Sequence, residues 1–120
     1  MAKILIVDDS PTETYKLTSL LEKHGHVAIA ASNGEEGVAT AKKEQPDVVL
    51  MDIVMPGLNG FQATRQLSKA PETTHIPVII VTTKDQETDR VWGMRQGAKA
   101  YLTKPIIEKE LIDVIASVIN

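Results

Sequence analysis

The chain has 120 residues, no cysteine and a net charge of −3 at pH 7, and 42% of its residues are hydrophobic. This length suits one domain with one core, the lack of cysteine excludes disulfides and thiolate metal sites, and the negative charge argues against a nucleic-acid partner. The apolar run that follows Met1 is too short for a signal peptide or a membrane span, so a cytoplasmic protein without membrane insertion is expected.

The hydrophobic pattern alternates between strand-like and helix-like segments along the whole chain. Short runs rich in Val and Ile, without polar alternation, are typical of strands buried on both faces of a parallel sheet. Apolar residues three and four apart, bounded by Ser, Asn, Gly or Pro, are typical of helices. In chain order the pattern predicts strand 4–7, helix 11–24, strand 26–31, helix 34–44, strand 46–51, helix 61–69, strand 77–82, helix 89–96, strand 100–103 and a helix from about residue 107.

The first two helices have sequence signals for their N-termini. Ser10 is predicted to cap the first helix, with Pro11 as its first residue and Glu13 closing a capping box. Asn33 is predicted to cap the second helix, and Glu36 stands three residues after it. These signals place the start of each helix a few residues after the strand that precedes it.

Strand and helix alternate five times, which predicts an α/β domain with a parallel sheet and helices on both of its faces. No linker, internal repeat or low-complexity tract interrupts this alternation. Residues 1–120 are therefore expected to form a single domain without an attached output domain.

Four of the five predicted strands end in reactive or charged side chains, which are Asp8-Asp9, Asp52, Thr82 and Lys104. Each of these residues has an ordinary explanation by itself, because Asp can form a turn or cap a helix and Lys can lie at the surface. In a parallel sheet, however, the carboxyl ends of the strands share one edge, where ligands of open α/β sheets bind. We therefore expect these side chains to meet in one site.

The expected site has the chemistry for handling a phosphoryl group. Three carboxylates repel one another unless a cation compensates their charge, and oxygen ligands without sulfur or paired histidines favour Mg²⁺. Together with the Lys104 ammonium, such a metal would neutralise a phosphoryl group, which a carboxylate such as Asp52 can accept covalently. The Thr82 hydroxyl can then donate a hydrogen bond to the phosphoryl oxygens.

This combination resembles the receiver domain of two-component response regulators, and the resemblance covers essentially the whole chain. The residues that carry it are Asp8-Asp9, Asp52, Met55-Pro56-Gly57, Thr82, Tyr101 and Lys104-Pro105. The resemblance implies a flavodoxin-like, doubly wound sheet of five parallel strands in the order 2-1-3-4-5.

The resemblance also implies which residues act on the phosphoryl group. Asp52 is the expected phosphoacceptor, and Lys104 is expected to contact the phosphoryl group. Asp8, Asp9 and Asp52 are the expected Mg²⁺ ligands, with the backbone carbonyl of Val54 as a further ligand. No independent substrate is implied, so any activity is limited to self-phosphorylation and autodephosphorylation.

A switch and its partners are implied in the same way. Thr82 and Tyr101 are the expected switch pair, and the Lys104-Pro105 peptide bond is expected to be cis. Three stretches, which are 4–23, 48–66 and 81–103, are similar to stand-alone regulators of type IV pilus twitching motility. That similarity implies a monomer, a chemotaxis-type sensor histidine kinase as phosphodonor, and a pilus motor or regulatory protein as target. A phosphate sink that drains the kinase is the alternative role.

The chain departs from the common family pattern at positions near the expected site. Thr83 follows Thr82 where a small Ala or Gly is common, and Val54 and Lys84 occupy positions that tune hydrolysis in the family. These departures put the lifetime of the phosphoryl group in doubt, but not the acceptor.

Two other functions are less well matched by the sequence. A flavin-binding protein of this fold would need an anion-cradling loop after the first strand, where this chain has Asp8 and Asp9. A phosphatase with an aspartyl nucleophile would resemble its family in a second Asp two residues after the nucleophile, where this chain has Val54.

Residues outside the expected site are given structural or solvent-exposed roles. Trp92 is interpreted as a partly buried packing residue rather than a partner anchor, and Met94 as a packing residue. His24, His26 and His75 do not form a pair at metal-ligand spacing, so they are expected to be solvated.

Overall fold

The computed structural model describes residues 1–119, in which five strands and five helices alternate. Their bounds are β1 Lys3–Val7, α1 Pro11–Lys23, β2 Val27–Ala31, α2 Gly34–Glu44, β3 Val48–Met51, α3 Gly60–Lys69, β4 Val78–Thr82, α4 Glu87–Arg95, β5 Ala100–Thr103 and α5 Glu108–Val118. The predicted elements are all present, with no end shifted by more than two residues. Within residues 1–119, no helix has both the length and the apolar character needed to cross a membrane.

The five strands form one parallel sheet in the order β2-β1-β3-β4-β5, which confirms the expected fold and strand order. Val7 at the end of β1 lies opposite Ala31 of β2 and Met51 of β3. Thr82 at the end of β4 lies opposite Thr103 of β5. Because the strands end in register, the residues that follow them emerge at a single edge of the sheet.

The core consists of two layers, one on each face of the sheet. Alternate strand residues point to opposite faces. Ile4 and Ile6 of β1 therefore lie in the cluster that includes Leu21 of α1 and Leu111 of α5. On the other face, strand residues pack with side chains of α2 and α3 in a cluster made of Leu5, Val7, Ala31, Val38, Ala41, Val49, Met51, Met55, Ala63, Leu67, Ile76 and Val78. Ile80 of β4 and Tyr101 of β5 belong to a smaller cluster with Ile53 and Ala98. Burial on both faces explains why β1, β3 and β4 read as unbroken apolar runs.

The start of α1 differs from the predicted capping box. The Ser10 hydroxyl accepts the Glu13 N–H at 3.3 Å, as a helix cap should. However, the Ser10 N–H donates to Asp8 Oδ1 at 2.9 Å, and the Glu13 carboxylate lies 3.6 Å from the Lys104 ammonium. The predicted contact of the Glu13 side chain with the Ser10 N–H is therefore wrong. The buried Asp8 carboxylate accepts the Ser10 N–H instead, and the Glu13 carboxylate pairs with Lys104.

The start of α4 also differs from the prediction. The helix begins at Glu87, two residues before the predicted start at Asp89. The Asp89 carboxylate accepts the Gln86 N–H at 3.3 Å, so Asp89 supports the first turn from within the helix. Acidic residues in a first turn are favourable beside the positive end of the helix dipole.

The N-terminus of α3 approaches the backbone that follows β3 very closely. Asn59 and Gln62 form a reciprocal capping box, with both N–H to side-chain distances at 3.0 Å. The Gly60 N–H donates to the Ile53 carbonyl at 3.1 Å. A Cβ atom at position 60 would overlap the Asp52 carbonyl oxygen and lie 2.6 Å from the Ile53 Cα. Only a glycine therefore lets α3 begin here without displacing the backbone of Asp52.

We expect Gly60→Ala to lower the free energy of unfolding by about 1–3 kcal/mol or more, because overpacking against backbone atoms cannot be relieved by a rotamer change. Gln66→Ala is the matched control, since it also places an alanine in α3 but at an exposed position. Its effect should stay within about 0.5 kcal/mol. Urea denaturation monitored by circular dichroism measures both values. Equal stability of the two variants would contradict the close approach described for Gly60.

Candidate functional site

Three carboxylates meet at the edge of the sheet where β1 and β3 end. Asp8, Asp9 and Asp52 each contribute an oxygen, and these oxygens all lie within 4.8 Å of one another. Asp8 and Asp52 are buried, whereas Asp9 is exposed. Their closeness follows from the sheet order, because β1 and β3 are neighbours although 40 or more residues separate them along the chain.

Backbone pairing continues past the strand ends and fixes the carboxylates in place. The Asp52 N–H donates to the Val7 carbonyl at 2.9 Å, and the Asp8 N–H donates to the Ala31 carbonyl at 3.1 Å. The Asp52 Oδ1 accepts the Ile53 N–H at 2.7 Å. Asp8 Oδ1 likewise accepts the Ser10 N–H, so one oxygen of each buried carboxylate is held by a main-chain N–H and the other faces the Lys104 ammonium.

A lysine that follows the outermost strand, β5, provides the countercharge. The Lys104 ammonium lies 2.8 Å from Asp8 Oδ2, 3.5 Å from Asp52 Oδ2 and 3.6 Å from Glu13 Oε1. Its side chain is only 9% exposed. The Lys104 N–H donates to the Thr82 carbonyl at 2.8 Å, and the following Lys104-Pro105 bond is cis, as expected.

The surroundings of Lys104 keep its side chain charged. Burial lowers the pKa of the Lys104 ammonium, but the hydrogen bond to Asp8 and the negative charges of Asp52, Asp8 and Glu13 raise it by more. The net effect holds the Lys104 pKa above its usual value, so the ammonium is present at neutral pH. The site therefore carries one permanent positive charge among its carboxylates.

The donor set fits a hard divalent cation. Octahedral Mg²⁺ with ligands at about 2.1 Å brings its ligand oxygens to roughly 3–4 Å from one another. The carboxylate oxygens of Asp8, Asp9 and Asp52 are within 4.8 Å, so small side-chain rotations would bring them to that spacing. Three carboxylates against one ammonium leave an excess negative charge that a divalent cation would compensate. Val54 follows two residues after Asp52, and its carbonyl remains a predicted further ligand.

Thr82 and Tyr101, the predicted switch pair, are connected through the backbone of one residue. The Thr82 side chain is fully buried, and its Oγ1 accepts the Lys84 N–H at 3.4 Å. The Tyr101 hydroxyl donates to the Lys84 carbonyl at 2.7 Å. Burial, reinforced by the charge of Asp89, raises the pKa of Tyr101 to about 12, so its hydroxyl keeps the proton that it donates.

The positions predicted to tune hydrolysis lie at the rim of the site. Val54 is 56% exposed, and Thr83 is exposed. The Lys84 ammonium lies 3.8 Å from Asp89 of α4, which turns its charge towards that helix. The effect of these residues on the lifetime of a phosphoryl group remains a prediction.

Some residues occupy environments that the sequence did not indicate. Trp92 is 49% exposed and Met94 is 43% exposed, so both lie at the surface of α4 rather than in packed positions. His26 is not simply solvated, because its Nδ1 accepts the Ala2 N–H at 3.1 Å and burial lowers its pKa. Glu13 belongs to the charged site through its contact with Lys104. Its spacing after Ser10 suggested a capping role, and no local signal distinguishes the two roles.

Two comparisons of sequence identify relatives of the chain. Residues 4–116 match the family model described as the response regulator receiver domain. The chain is 71% identical to Protein PilH of Pseudomonas aeruginosa over 119 residues, which cover 99% of this chain and 98% of that protein. It is also 39% identical over 105 residues to the response regulator PleD of Caulobacter vibrioides, covering 88% of this chain and 23% of PleD.

Solved structures share the fold closely. The chemotaxis protein CheY4 of Vibrio cholerae is 29% identical, with a TM-score of 0.91 and coverage of 98% of both chains. The receiver domain of the sensor histidine kinase PA1611 from Pseudomonas aeruginosa is 28% identical, with a TM-score of 0.91. That alignment covers 98% of this chain and 97% of the PA1611 domain, whose structure has a magnesium ion coordinated in its active site cleft. The resemblance drawn from the sequence is therefore confirmed, and the chain belongs to the response regulator receiver domain family of two-component signalling proteins.

Proposed function

We propose that the chain is a phosphorylation-controlled binding switch, in which Asp52 accepts a phosphoryl group from a sensor histidine kinase with the help of Mg²⁺. The observation that carries this proposal is the cluster of Asp8, Asp9 and Asp52 around the Lys104 ammonium, in a chain of the receiver family. A structural role alone would not require three carboxylates within 4.8 Å of one another at a ligand-binding edge.

Asp52 is placed to act as a nucleophile. Its Oδ1 is engaged by the Ile53 N–H, whereas its Oδ2 faces the Lys104 ammonium at 3.5 Å. We expect Oδ2 to attack phosphorus, because Lys104 can then contact a phosphoryl oxygen and compensate its charge. The bond between phosphorus and the donor histidine nitrogen breaks, and its electron pair returns to the imidazole. Asp52 becomes an acyl phosphate.

The remaining site residues prepare this transfer. Asp8, Asp9 and Asp52 would hold Mg²⁺, with the Val54 carbonyl as a further ligand. The metal, when bound, supplies positive charge beside the phosphoryl oxygens. The magnesium-bound receiver domain of PA1611 supports this assignment. Thr82 would donate its hydroxyl proton to a phosphoryl oxygen after transfer.

The output is proposed to leave through α4, Tyr101 and α5. The Thr82 hydroxyl now accepts the Lys84 N–H, and the Lys84 carbonyl accepts the Tyr101 hydroxyl. If Thr82 turns towards a phosphoryl group, the contacts of Lys84 and Tyr101 change with it, which is a two-state shift. The 71% identity to PilH supports a role in type IV pilus twitching motility, with a chemotaxis-type kinase as donor and a pilus motor or regulatory protein as target.

Acetyl phosphate with Mg²⁺ should add one phosphoryl group to the wild-type protein and none to Asp52→Asn, because the amide is not a nucleophile of comparable strength. Asp47→Asn is a matched control at the other end of β3, where an amide oxygen can still accept the Lys3 N–H. It should be phosphorylated like the wild type. Intact-protein mass spectrometry measures all three, and a phosphoryl adduct of equal yield on Asp52→Asn would disprove the acceptor assignment.

Mg²⁺ should raise the melting temperature, because a ligand that binds only the folded state stabilises it by mass action. At a concentration 100 times the dissociation constant, the gain should be about 2.7 kcal/mol. Asp9→Ala should lose most of this response, whereas Asp85→Ala, which removes an exposed carboxylate from the β4–α4 loop, should retain it. Differential scanning fluorimetry with and without millimolar Mg²⁺ is the measurement. A melting temperature that does not change when Mg²⁺ is added would contradict the metal assignment.

Beryllofluoride, which imitates a phosphoryl group on a carboxylate, should shift backbone amide resonances in α4, β5 and α5 as well as around Asp52. The reason is the hydrogen-bonded connection from Thr82 through Lys84 to Tyr101. Two-dimensional amide NMR with Mg²⁺ measures the shifts, and Asp52→Asn should show none. Shifts confined to the loops beside Asp52 would refute this output route. A phosphate sink, by contrast, requires no change at α4.

A further inference from the structure

Tyr101 is held in its buried position by more than its hydroxyl. The side chain is 4% exposed, and the hydroxyl donates to the Lys84 carbonyl. The guanidinium carbon of Arg90 lies 5.1 Å from the centroid of the Tyr101 ring, within the range of a cation–π contact. Arg90 Nη1 also donates to the Tyr101 carbonyl at 3.1 Å. One arginine of α4 thus contacts both the ring and the main chain of the switch tyrosine.

The residue one turn after Arg90 makes room for the same ring. A Cβ atom on Gly93 would lie 2.6 Å from Ile80 Cδ1 and 3.1 Å from Tyr101 Cδ2. Residues three apart share one face of a helix, so Arg90 and Gly93 present adjacent surfaces to Tyr101. The glycine leaves the space that the ring occupies, and the arginine lies over the ring.

The cation–π contact of Arg90 exists only while the ring of Tyr101 is buried. If the ring swung outward, the cation–π contact would be lost, and the hydrogen bond to the carbonyl would remain alone. β5 is an edge strand of the sheet, and Arg90 supplies a side-chain donor to its Tyr101 carbonyl. Arg95, on the same helix and also exposed, has neither kind of contact within residues 1–119. A general surface role for arginines on α4 therefore does not explain the position of Arg90.

We propose that Arg90 is a positioning residue of the switch, which biases Tyr101 towards the buried position before any phosphoryl group arrives. The bias itself is independent of phosphorylation, but its consequence for signalling rests on the function proposed above. A switch that starts largely in one state responds less to its trigger, because a ligand can change only the population that remains. The change at the exposed α4 surface that includes Trp92 would accordingly be smaller than in a chain without this bias.

The position of Tyr101 can be measured directly in a chain that carries 3-fluorotyrosine. Tyr15 and Tyr101 are the two tyrosines, so Tyr15→Phe leaves Tyr101 as the sole fluorine reporter. Fluorine NMR with a soluble nitroxide radical distinguishes a buried ring from an exposed one by the broadening of its resonance. The experiment needs neither Mg²⁺ nor a phosphodonor.

In this background, Arg90→Met keeps an unbranched apolar side chain but removes the cation and the donor. We expect the exposed population of the ring to increase about two- to fivefold, the change given by loss of a cation–π contact made by an exposed arginine. The exposed population in Arg90→Lys should lie between those of the parent and Arg90→Met, because lysine keeps the positive charge but not the planar guanidinium. Gly93→Ala should also expose the ring, and it serves as a reference for the displaced resonance.

Arg95→Met is the matched control, since it removes the same charge from the same helix. It should leave the ring buried. Nitroxide broadening of Arg90→Met that equals the parent would overturn the proposal, and so would an equal effect of Arg95→Met. Adding Mg²⁺ and beryllofluoride afterwards should return Tyr101 of Arg90→Met to the buried resonance. If neither the parent nor Arg90→Met responds to beryllofluoride, the proposed phosphorylation function fails. The nitroxide broadening measured without beryllofluoride still decides the role of Arg90.

Discussion

The arrangement of the site depends on one buried ion pair, in which the Lys104 ammonium lies 2.8 Å from the Asp8 carboxylate. Asp8 and Asp52 are both buried at the same edge of the sheet, and two uncompensated carboxylates there would repel each other strongly. Lys104 reaches them from the end of β5, two strands away from β3. Removing one partner from such a buried pair typically costs about 3–5 kcal/mol, because a charge is left without compensation. The ammonium that is proposed to bind a phosphoryl group thus also holds the carboxylates of the site together.

The same lysine links the acid cluster to the proposed switch residues. Its backbone N–H donates to the Thr82 carbonyl, and the Thr82 hydroxyl accepts the Lys84 N–H. From Lys84 the connection passes to the Tyr101 hydroxyl, and from Tyr101 to Arg90 of α4. A contiguous set of hydrogen bonds therefore joins the edge of the sheet that carries the carboxylates to a surface helix. Such a set of hydrogen bonds can couple two sites when one of its residues has two discrete positions. Tyr101 is the residue proposed to have two positions, and the structure has it in the buried one.

The sequence by itself determined the fold class and which charged residues meet at the candidate site. Apolar runs such as 4–7 and 48–51 are long enough to be strands and too short to be helices, and helix signals separate them. The polar residues Asp8, Asp52 and Lys104 stand where these runs end, and parallel strands bring such ends to one edge. Strand order was taken from the family resemblance, because the alternation of strands and helices fits more than one order.

Only the tertiary structure decided which side chains are partners. Glu13 has the spacing of a capping residue, yet its carboxylate lies beside Lys104, which is 91 residues later in the chain. Trp92 has the hydrophobicity of a packing residue, but α4 turns it towards solvent. Arg90 shows no local signal for its contacts with Tyr101, since these depend on the packing of α4 against β5. Periodicity and capping are properties of neighbouring residues, and they determine the elements. Partners across elements depend on distances that folding sets, so the sequence predicts the edge where they meet but not the contacts made there.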